Sequence, residues 1–171
     1  AGIKMCESYN IQYKTNYKCL MPTNTFGPND NYNALNSHFF PALIKKVHDL
    51  KLNNKKELTL WGNGLAKREV IYVDDLADAC IFFMKKSFSE TTLNIGTGKD
   101  LSIKQYAKII LNKIMPKNKI KIKYDLSKPN GTPRKVLDIK LANKYGWKPK
   151  TQLDEAITKT YLNFLENNKI V

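Results

Sequence analysis

The chain has 171 residues, of which 42% are hydrophobic and 11% aromatic, and this is enough for one globular domain with a packed core, so disordered and fibrous classes are excluded. Lysine and arginine outnumber aspartate and glutamate by 29 to 15, and the net charge of +14 suggests nucleic acid or an anionic membrane as a partner. All but two of these cations are lysines spread along the whole chain, so most of the excess is expected on solvated faces.

The sequence shows no signal for a membrane or an oxidising compartment. No apolar run approaches the ~18 residues of a membrane span. The chain also opens without an initiator Met or a charged-then-apolar leader, so we expect a soluble, N-terminally truncated protein. Cys6, Cys19 and Cys80 lie far apart without C-x-x-C spacing, which argues against disulfides and a zinc site. We therefore predict a cytoplasmic protein without a metal.

The first half of the sequence predicts helices and strands in alternation. In chain order the elements are a helix over 1–15, a strand over 17–21, a loop over 22–31, a helix that follows residues 36–38, and two strands around a tight reversal at 62–64. The loop is dense in turn-forming residues and long enough to serve a function. Phe40, Leu43, Ile44 and Val47 recur at helical spacing and place His38 at the N-terminus of the second helix.

The second half continues the alternation. Its predicted elements are a helix opened by Asp74 and Asp75, a strand over 92–95, a turn over 96–98, a helix from Ser102 to about Met115, a strand over 120–124, and helices over 141–145 and 153–166. Acidic residues in a first turn offset the helix dipole, so we interpret Asp74 and Asp75 as structural. The pattern predicts an α/β fold without internal repeats.

General motifs leave the function open. Gly96-x-Gly98 lacks the third glycine of a dinucleotide fingerprint, and neither a Walker loop nor a Ser-His-Asp or His-Glu-x-x-His arrangement can be read. Arg68 and Arg134 are the only arginines. Because an arginine fork binds phosphate or carboxylate bidentately, whereas lysine is a point charge, both positions are candidates for anion binding.

Several segments follow one another in an order typical of one family. They are Met21-Pro22-Thr23-Asn24, Asn36-Ser37-His38, Trp61-Gly62 with Arg68-Glu69, Val73-Asp74-Asp75, Leu93 to Gly98, Ser127 to Lys135, and Gly146-Trp147 with Pro149. Together they resemble the C-terminal half of the extended short-chain dehydrogenase/reductases, over essentially the whole chain. Residues 73–75 and 96–98 are shared by many nucleotide-sugar epimerases and dehydratases, whereas residues 36–38 and 128–135 resemble the GDP-L-fucose synthase family in particular.

The resemblance implies the tail of a Rossmann domain plus a small α/β substrate-binding lobe. Residues 1–171 would then form the C-terminal half of a sugar-nucleotide epimerase/reductase and begin within its active-site helix. The N-terminal NADP-binding half, with the glycine-rich loop and the family's catalytic Ser, Cys, Tyr and Lys, would be absent from the chain. We therefore expect this chain alone to be inactive and to bind NADPH weakly, and we expect its three cysteines to be small buried apolar residues.

The family's reaction is the NADPH-dependent epimerisation and reduction of GDP-4-keto-6-deoxy-D-mannose to GDP-L-fucose. His38 corresponds to the catalytic His, an acid that reprotonates the sugar carbon during epimerisation; capping the helix or contacting the cofactor are its alternative roles. Pro22, Thr23, Asn24 and Thr25 match the segment that passes the nicotinamide end of NADP, where an ordinary turn is the alternative.

Four further residues are implied in substrate binding. Lys46, Trp61 and Arg68 match the family's positions for the GDP part of the substrate, and we expect Arg134 to join Arg68 on the diphosphate. The family often has Arg where Lys46 stands, so the charge is kept but the fork is lost. The alternative role for Trp61 is that of a buried core residue. Asn130 stands where an Asp is expected.

Other interpretations stay open from the sequence. Arg68 has a structural alternative, pairing with Glu69 or Asp75. For the whole chain, another NAD(P)-dependent nucleotide-sugar epimerase or dehydratase would keep residues 73–75 and 96–98 without needing residues 36–38. A basic nucleic-acid-binding module is suggested by the charge but disfavoured by the scattered lysines. We expect a GDP-sugar partner and a homodimer, with no nucleic acid and no membrane.

Overall fold

The computed structural model describes residues 1–33 and 36–167. Its helices are α1 (Gly2–Tyr13), α2 (Phe39–Leu52), α3 (Val73–Met84), α4 (Ile103–Ile114), α5 (Lys140–Lys144) and α6 (Leu153–Asn167). Its strands are β1 (Cys19–Pro22), β2 (Asn24–Phe26), β3 (Glu57–Trp61), β4 (Lys67–Tyr72), β5 (Thr92–Ile95), β6 (Asp100–Ser102), β7 (Lys121–Asp125) and β8 (Arg134–Lys135). The predicted α/β class is confirmed.

The chain divides into two compact units, each assembled from three separate stretches of sequence. Unit 1 consists of Ala1–Thr25, Glu69–Lys99 and Val136–Lys150, and unit 2 consists of Phe26–Arg68, Asp100–Lys135 and the residues from Thr151 onward. The chain crosses between the units five times, and two of these crossings fall within strands β2 and β4. No composition shift or linker marks these crossings, so the sequence alone gave no boundary to predict.

Unit 1 is organised around a parallel pair of strands. β1 and β5 run in register and end with Pro22 opposite Ile95. Their buried core consists of Ile71, Ala79, Phe83, Leu93, Ile95, Ala142 and Trp147. The indole Nε1 of Trp147 donates a hydrogen bond to Asp78 at 3.1 Å, so this large core side chain is both buried and satisfied.

Unit 2 pairs β3 with β7 in parallel. Leu58 and Leu60 of β3 are buried while the residues between and beside them are exposed, which is the alternation of a strand with one covered face. Helix α2 packs against α4, and α4 packs against α6. The apolar positions predicted for the second helix are all buried: Phe40, Leu43, Ile44 and Val47.

The predicted reversal around residues 62–64 is a turn, but the strands that flank it do not pair with each other in the described part of the chain. β3 pairs with β7, and β4 pairs in parallel with β8. The turn itself bonds to other segments: the Gly62 N–H donates to the Asp125 carbonyl at 2.9 Å, and the Gly64 carbonyl accepts from the Lys104 N–H at 3.0 Å. These long-range bonds outweigh the local hairpin that the sequence suggests.

Helix α1 forms as predicted, and none of its residues is buried. One expectation about burial is wrong. Cys6 and Cys19 are only half-buried and Cys80 is exposed, although all three were expected inside. Cys80 directly follows the buried Ala79, and one residue is about 100° around a helix, so its side chain points away from the core. Among residues 1–33 and 36–167, no helix is long and apolar enough to span a membrane.

Helix α4 begins at a complete capping box. The Ser102 hydroxyl accepts from the Gln105 N–H at 3.2 Å, and the Gln105 Oε1 accepts from the Ser102 N–H at 2.8 Å. Two N–H groups that have no partner within the helix are thereby satisfied. Ser102 was predicted as this cap from the sequence.

We expect Ser102→Ala to lower the free energy of unfolding by about 1 kcal/mol, because the alanine leaves the Gln105 N–H without its acceptor. Urea unfolding followed by circular dichroism measures the change. Ser87→Ala is the matched control, since Ser87 is exposed and lies outside the helices, and it should leave the midpoint in place. Equal midpoints for both variants would contradict a stabilising cap.

Candidate functional site

Unit 2 contains a cavity of about 290 Å³. Three of the residues predicted for substrate binding line it together: Lys46 from α2, Trp61 from the end of β3, and Arg68 from β4. Leucine, isoleucine and alanine side chains complete an apolar wall. A concave site with apolar walls and a few convergent cations suits a ligand that has both a flat apolar part and an anionic part.

Trp61 is 60% exposed, so the alternative that placed it in the core is wrong. The ammonium of Lys46 lies 5.2 Å from its ring centroid and that of Lys128 lies 5.6 Å away. Both distances are within the range of cation–π attraction. An exposed aromatic ring with two cations beside it can take a planar ring on its face and an anion at its edge.

Lys46 is the half-buried cation of this group. Its Nζ donates to the Thr59 carbonyl at 3.4 Å. Burial lowers the pKa of Lys46, because removing water disfavours the charged form. The charge that this residue offers to an anion is therefore more pH-sensitive than that of an ordinary lysine.

Arg68 is fixed through one nitrogen of its fork. Its Nη1 donates to the carbonyls of Lys67 and Thr132, at 2.7 and 2.6 Å. These acceptors are main-chain carbonyls, and no ion pair of Arg68 with a carboxylate occurs among the described residues. The alternative that Arg68 pairs with Glu69 or Asp75 is therefore wrong. The other N–H groups of the guanidinium take no part in the two carbonyl bonds.

Arg134 has a different environment. Its Nε and Nη2 both donate to the carboxylate of Asp100, and the hydrogen bond from Arg134 lowers the pKa of Asp100. In the β4–β8 pair, Lys67 is opposite Arg134 and Arg68 is opposite Lys135, so alternation puts the two arginines on opposite faces of this ribbon. Arg134 is not among the described residues that line the cavity, and its role on the substrate stays a prediction.

Asn130 lines the cavity and closes the turn after β3. Its Oδ1 accepts from the Asn63 N–H at 2.7 Å. Gly62 has φ +64°, and a Cβ there would lie 2.5 Å from the same oxygen, so only glycine fits this approach. The Oδ1 of Asn130 therefore accepts a hydrogen bond from the turn. An Asp at this position, as expected from the sequence, could accept the same hydrogen bond through a carboxylate oxygen.

His38 occupies the N-cap position of α2, but its side chain makes no capping hydrogen bond. Its carbonyl accepts the Ala42 N–H at 3.1 Å, so the main chain alone begins the helix. The imidazole is exposed, and its chain neighbours Ser37 and Phe39 line the cavity. The capping alternative for the His38 side chain is therefore wrong, and the catalytic role stays a prediction.

In unit 1 the predicted cofactor segment is extended. Pro22 ends β1, Thr23 follows, and Asn24 and Thr25 belong to β2, so this part of the expected loop is a strand and not an ordinary turn. The Thr23 N–H donates to the Ile95 carbonyl at 3.0 Å. The segment thus follows the carboxyl end of β1 and lies beside the carboxyl end of β5. Open α/β sheets bind their ligands at such strand ends.

The sequence matches a known family model over more than half of its length. Residues 1–96 match the NAD dependent epimerase/dehydratase family. The chain belongs to this family. The extended main chain of residues 22–25 lies within the matched range.

Individual members of the epimerase/dehydratase family are similar over almost the whole chain. Identity to the putative GDP-L-fucose synthase 2 of Arabidopsis thaliana is 41% over 98% of this chain and 50% of the relative. Identity to the GDP-L-fucose synthase of Escherichia coli K12 is 40% over 98% of this chain and 54% of the relative. The chain therefore spans about half the length of the curated relatives it matches.

A solved structure extends the comparison to the fold. A GDP-D-glycero-L-gluco-heptose synthase from Campylobacter jejuni, determined in the presence of NADPH, superimposes with a TM-score of 0.81 at 29% identity. The match covers 96% of this chain and 57% of that chain. The architecture described above is thus that of an epimerase/dehydratase family member.

Sequence reasoning missed three residues of this family member that the structure brings into view. Lys128 stands beside Trp61 although 67 positions separate them in the chain. Asp30 lies within electrostatic reach of His38; burial raises the pKa of Asp30, and the nearby His38 partly offsets the rise. Glu69 is completely buried. From the sequence, an acidic residue next to Arg68 is expected to be an exposed partner in an ion pair. Only the tertiary structure shows that Glu69 is buried instead.

Proposed function

We propose that this chain supplies the C-terminal half of a GDP-L-fucose synthase, which converts GDP-4-keto-6-deoxy-D-mannose to GDP-L-fucose with NADPH. The observation that carries the proposal is the cavity of unit 2, where the exposed ring of Trp61 stands with Lys46 and Arg68. Curated relatives that are 40% and 41% identical to the chain carry this name. A chain of this extent would be inactive without an N-terminal NADP-binding half.

The cavity has the groups that a nucleoside diphosphate requires. A purine is a planar ring that stacks on an aromatic face, which Trp61 offers. A diphosphate is an array of anionic oxygens, for which Arg68 supplies a fork and Lys46 and Lys128 supply point charges. Arg134 is proposed as a second fork on the diphosphate, and its bond to Asp100 would then have to be shared or exchanged.

The cofactor is assigned to the segment from Pro22 to Thr25 of unit 1. Backbone groups at the carboxyl ends of β1 and β5 suit the nicotinamide end of NADPH. The related heptose synthase was determined in the presence of NADPH. When bound, NADPH supplies the hydride that reduces the ketone of the sugar.

His38 is proposed as the acid of the epimerisation. Removing a proton from a carbon next to a ketone leaves an enolate, and inversion requires that a proton return to the opposite face. Imidazoles in general exchange protons near neutral pH, so such a group can donate that proton and then take up another from solvent. The His38 side chain is exposed and does not cap the helix, and this supports the proposed step.

The proposal is tested by assaying the complete gene product against GDP-4-keto-6-deoxymannose and against UDP-sugars. Formation of GDP-L-fucose with oxidation of NADPH is the expected result. Turnover of UDP-sugars alone would identify a different nucleotide-sugar epimerase. A salt-sensitive shift of DNA or RNA in place of any turnover would favour the nucleic-acid module.

Lys46 gives this proposal a pH dependence. Its lowered pKa means that it loses its charge at a lower pH than an ordinary lysine does, so affinity for a GDP-sugar should fall early on the alkaline side. In Lys46→Arg the side chain stays charged because arginine is effectively always protonated, and the alkaline fall should move to higher pH. Calorimetric titration of the complete protein with GDP-sugar between neutral and alkaline pH measures both profiles.

Lys123→Arg is the control for this titration, because Lys123 pairs with Glu57 on the exposed edge of β7. It should reproduce the wild-type profile. If the affinity for the GDP-sugar falls at the same alkaline pH in the wild type and in Lys46→Arg, this would contradict a substrate contact by Lys46.

The complete enzyme is further proposed to be a cytoplasmic homodimer. Exposed apolar side chains on α1, among them Met5, Ile11 and Tyr13, support a second copy that covers this helix. The free state of Cys6, Cys19 and Cys80 supports a reducing compartment.

A further inference from the structure

Glu69 is 0% exposed. Burying a carboxylate is energetically costly unless hydrogen bonds or a cation replace its water. No ion pair of Glu69 with a lysine, arginine or histidine occurs in the described ranges. The compensation comes from hydrogen-bond donors: three main-chain N–H groups and the Thr97 hydroxyl, which donates to Oε1 at 3.3 Å.

The Glu69 carboxylate binds two separate segments of unit 1. Its Oε1 accepts the N–H groups of Thr97 and Gly98 at 2.5 and 2.7 Å, and its Oε2 accepts the Leu137 N–H at 2.7 Å. A Cβ on Gly96 would lie 2.2 Å from Oε1, so the turn after β5 is shaped around this oxygen. One side chain thus joins the 96–98 turn to the chain at residue 137.

The main chain of Glu69 binds a third segment. Its carbonyl accepts from the Asn24 Nδ2 at 2.8 Å and from the Thr23 hydroxyl at 3.2 Å. The Thr23 N–H also donates to the Ile95 carbonyl at 3.0 Å, directly before the 96–98 turn. The main-chain carbonyl of Glu69 therefore holds residues 23–24, and its side-chain carboxylate holds the 96–98 turn.

We propose that Glu69 is a positioning residue for the cofactor. It fixes the segments at the carboxyl ends of β1 and β5 in one arrangement, so that NADPH meets a preorganised main chain and does not have to order it. The inference rests on the proposed function for the identity of the cofactor. The N–H groups of the 96–98 turn explain why an acid is kept here, since an apolar side chain would leave them without acceptors.

The test is Glu69→Gln in the complete protein, with the NADPH dissociation constant measured by calorimetry. Glutamine has the same size, but its amide nitrogen replaces one oxygen and faces an N–H group. We expect NADPH to bind about tenfold more weakly, as for one charge-assisted hydrogen bond lost, while KM for the GDP-sugar stays within about twofold. A side chain that only stabilised the fold would lower the melting temperature and leave NADPH binding by the folded molecules unchanged.

Glu57→Gln is the matched control, because Glu57 is exposed and pairs with Lys123 in unit 2. It should bind NADPH as the wild type does. Thr23→Val is a second variant in case Glu69→Gln fails to fold; it keeps the side-chain size, removes the hydroxyl that donates to the Glu69 carbonyl, and should also weaken NADPH binding.

The outcomes separate this inference from the proposed function. Wild-type affinity for NADPH in folded Glu69→Gln, or in Thr23→Val if the first variant does not fold, would overturn the positioning role alone. Absence of NADPH binding by the complete wild-type protein would overturn the proposed function and the inference with it.

Discussion

Replacing His38 by glutamine in the complete enzyme should slow the exchange of solvent protons at the epimerised sugar carbons by ~10²–10⁴-fold, the usual cost of losing one general acid. Glutamine can form hydrogen bonds but has no proton to donate near neutral pH. The imidazole does not cap α2, so the helix should keep its N-terminus. NADPH binding should survive. Deuterium incorporation from heavy water, followed by mass spectrometry of the recovered sugar nucleotide, measures the rate.

His48→Gln is the control for this experiment, since the chain has two histidines. The His48 Nδ1 lies 3.0 Å from the Tyr161 hydroxyl, and the ring packs against Phe164, so its role is structural. This variant should exchange protons at the wild-type rate. Exchange at that same rate in His38→Gln would mean that another group is the acid.

Arg68→Lys should weaken binding of the GDP-sugar by about ten- to a hundredfold with the fold intact. A guanidinium fork satisfies two oxygens of the diphosphate at once where an ammonium satisfies one, and a charge-assisted hydrogen bond contributes roughly 1.5–3 kcal/mol. A single nitrogen, Nη1, makes both contacts of Arg68 to the carbonyls of Lys67 and Thr132, so an ammonium that kept these contacts would have no second nitrogen for the diphosphate. Calorimetry of the complete protein with GDP measures the loss.

Arg134→Lys is the informative companion to that variant. If Arg134 joins the diphosphate, both substitutions should weaken GDP binding. If its bond to Asp100 is its main role, only Arg68→Lys should do so. A structure of the complete enzyme with GDP in which neither guanidinium is within hydrogen-bonding reach of the phosphates would refute the assignment of both residues.

The elements with local signals were predictable from the sequence. The strand over 92–95 has the predicted bounds, and the capping box at Ser102 places the start of α4. The partner of a strand has no local signal, which is why the flanks of the 62–64 turn suggested a hairpin while β3 pairs with β7. Exposure on a helix face is equally non-local, and Cys80 was misplaced for that reason.

For the candidate site, spacing alone predicted little. Lys46, Trp61 and Arg68 came from a family resemblance, and the structure places all three on one cavity. Lys128 and Glu69 were missed because their roles depend on what lies opposite them in space. Arg134 itself was predicted, but its hydrogen-bond partner Asp100, 34 positions away in the chain, was missed for the same reason.

The distribution of the two tryptophans gives this chain a built-in spectroscopic assay. Trp61 is 60% exposed in unit 2, whereas Trp147 is 2% exposed in unit 1, so their emission maxima should differ. A Trp61→Phe variant leaves one fluorophore that reports on unit 1, and Trp147→Phe leaves one that reports on unit 2. Denaturation curves from the two single-tryptophan proteins would coincide if the units unfold together and separate if they unfold in succession. The same Trp61 signal would register a ligand stacked on its ring by quenching, without any label.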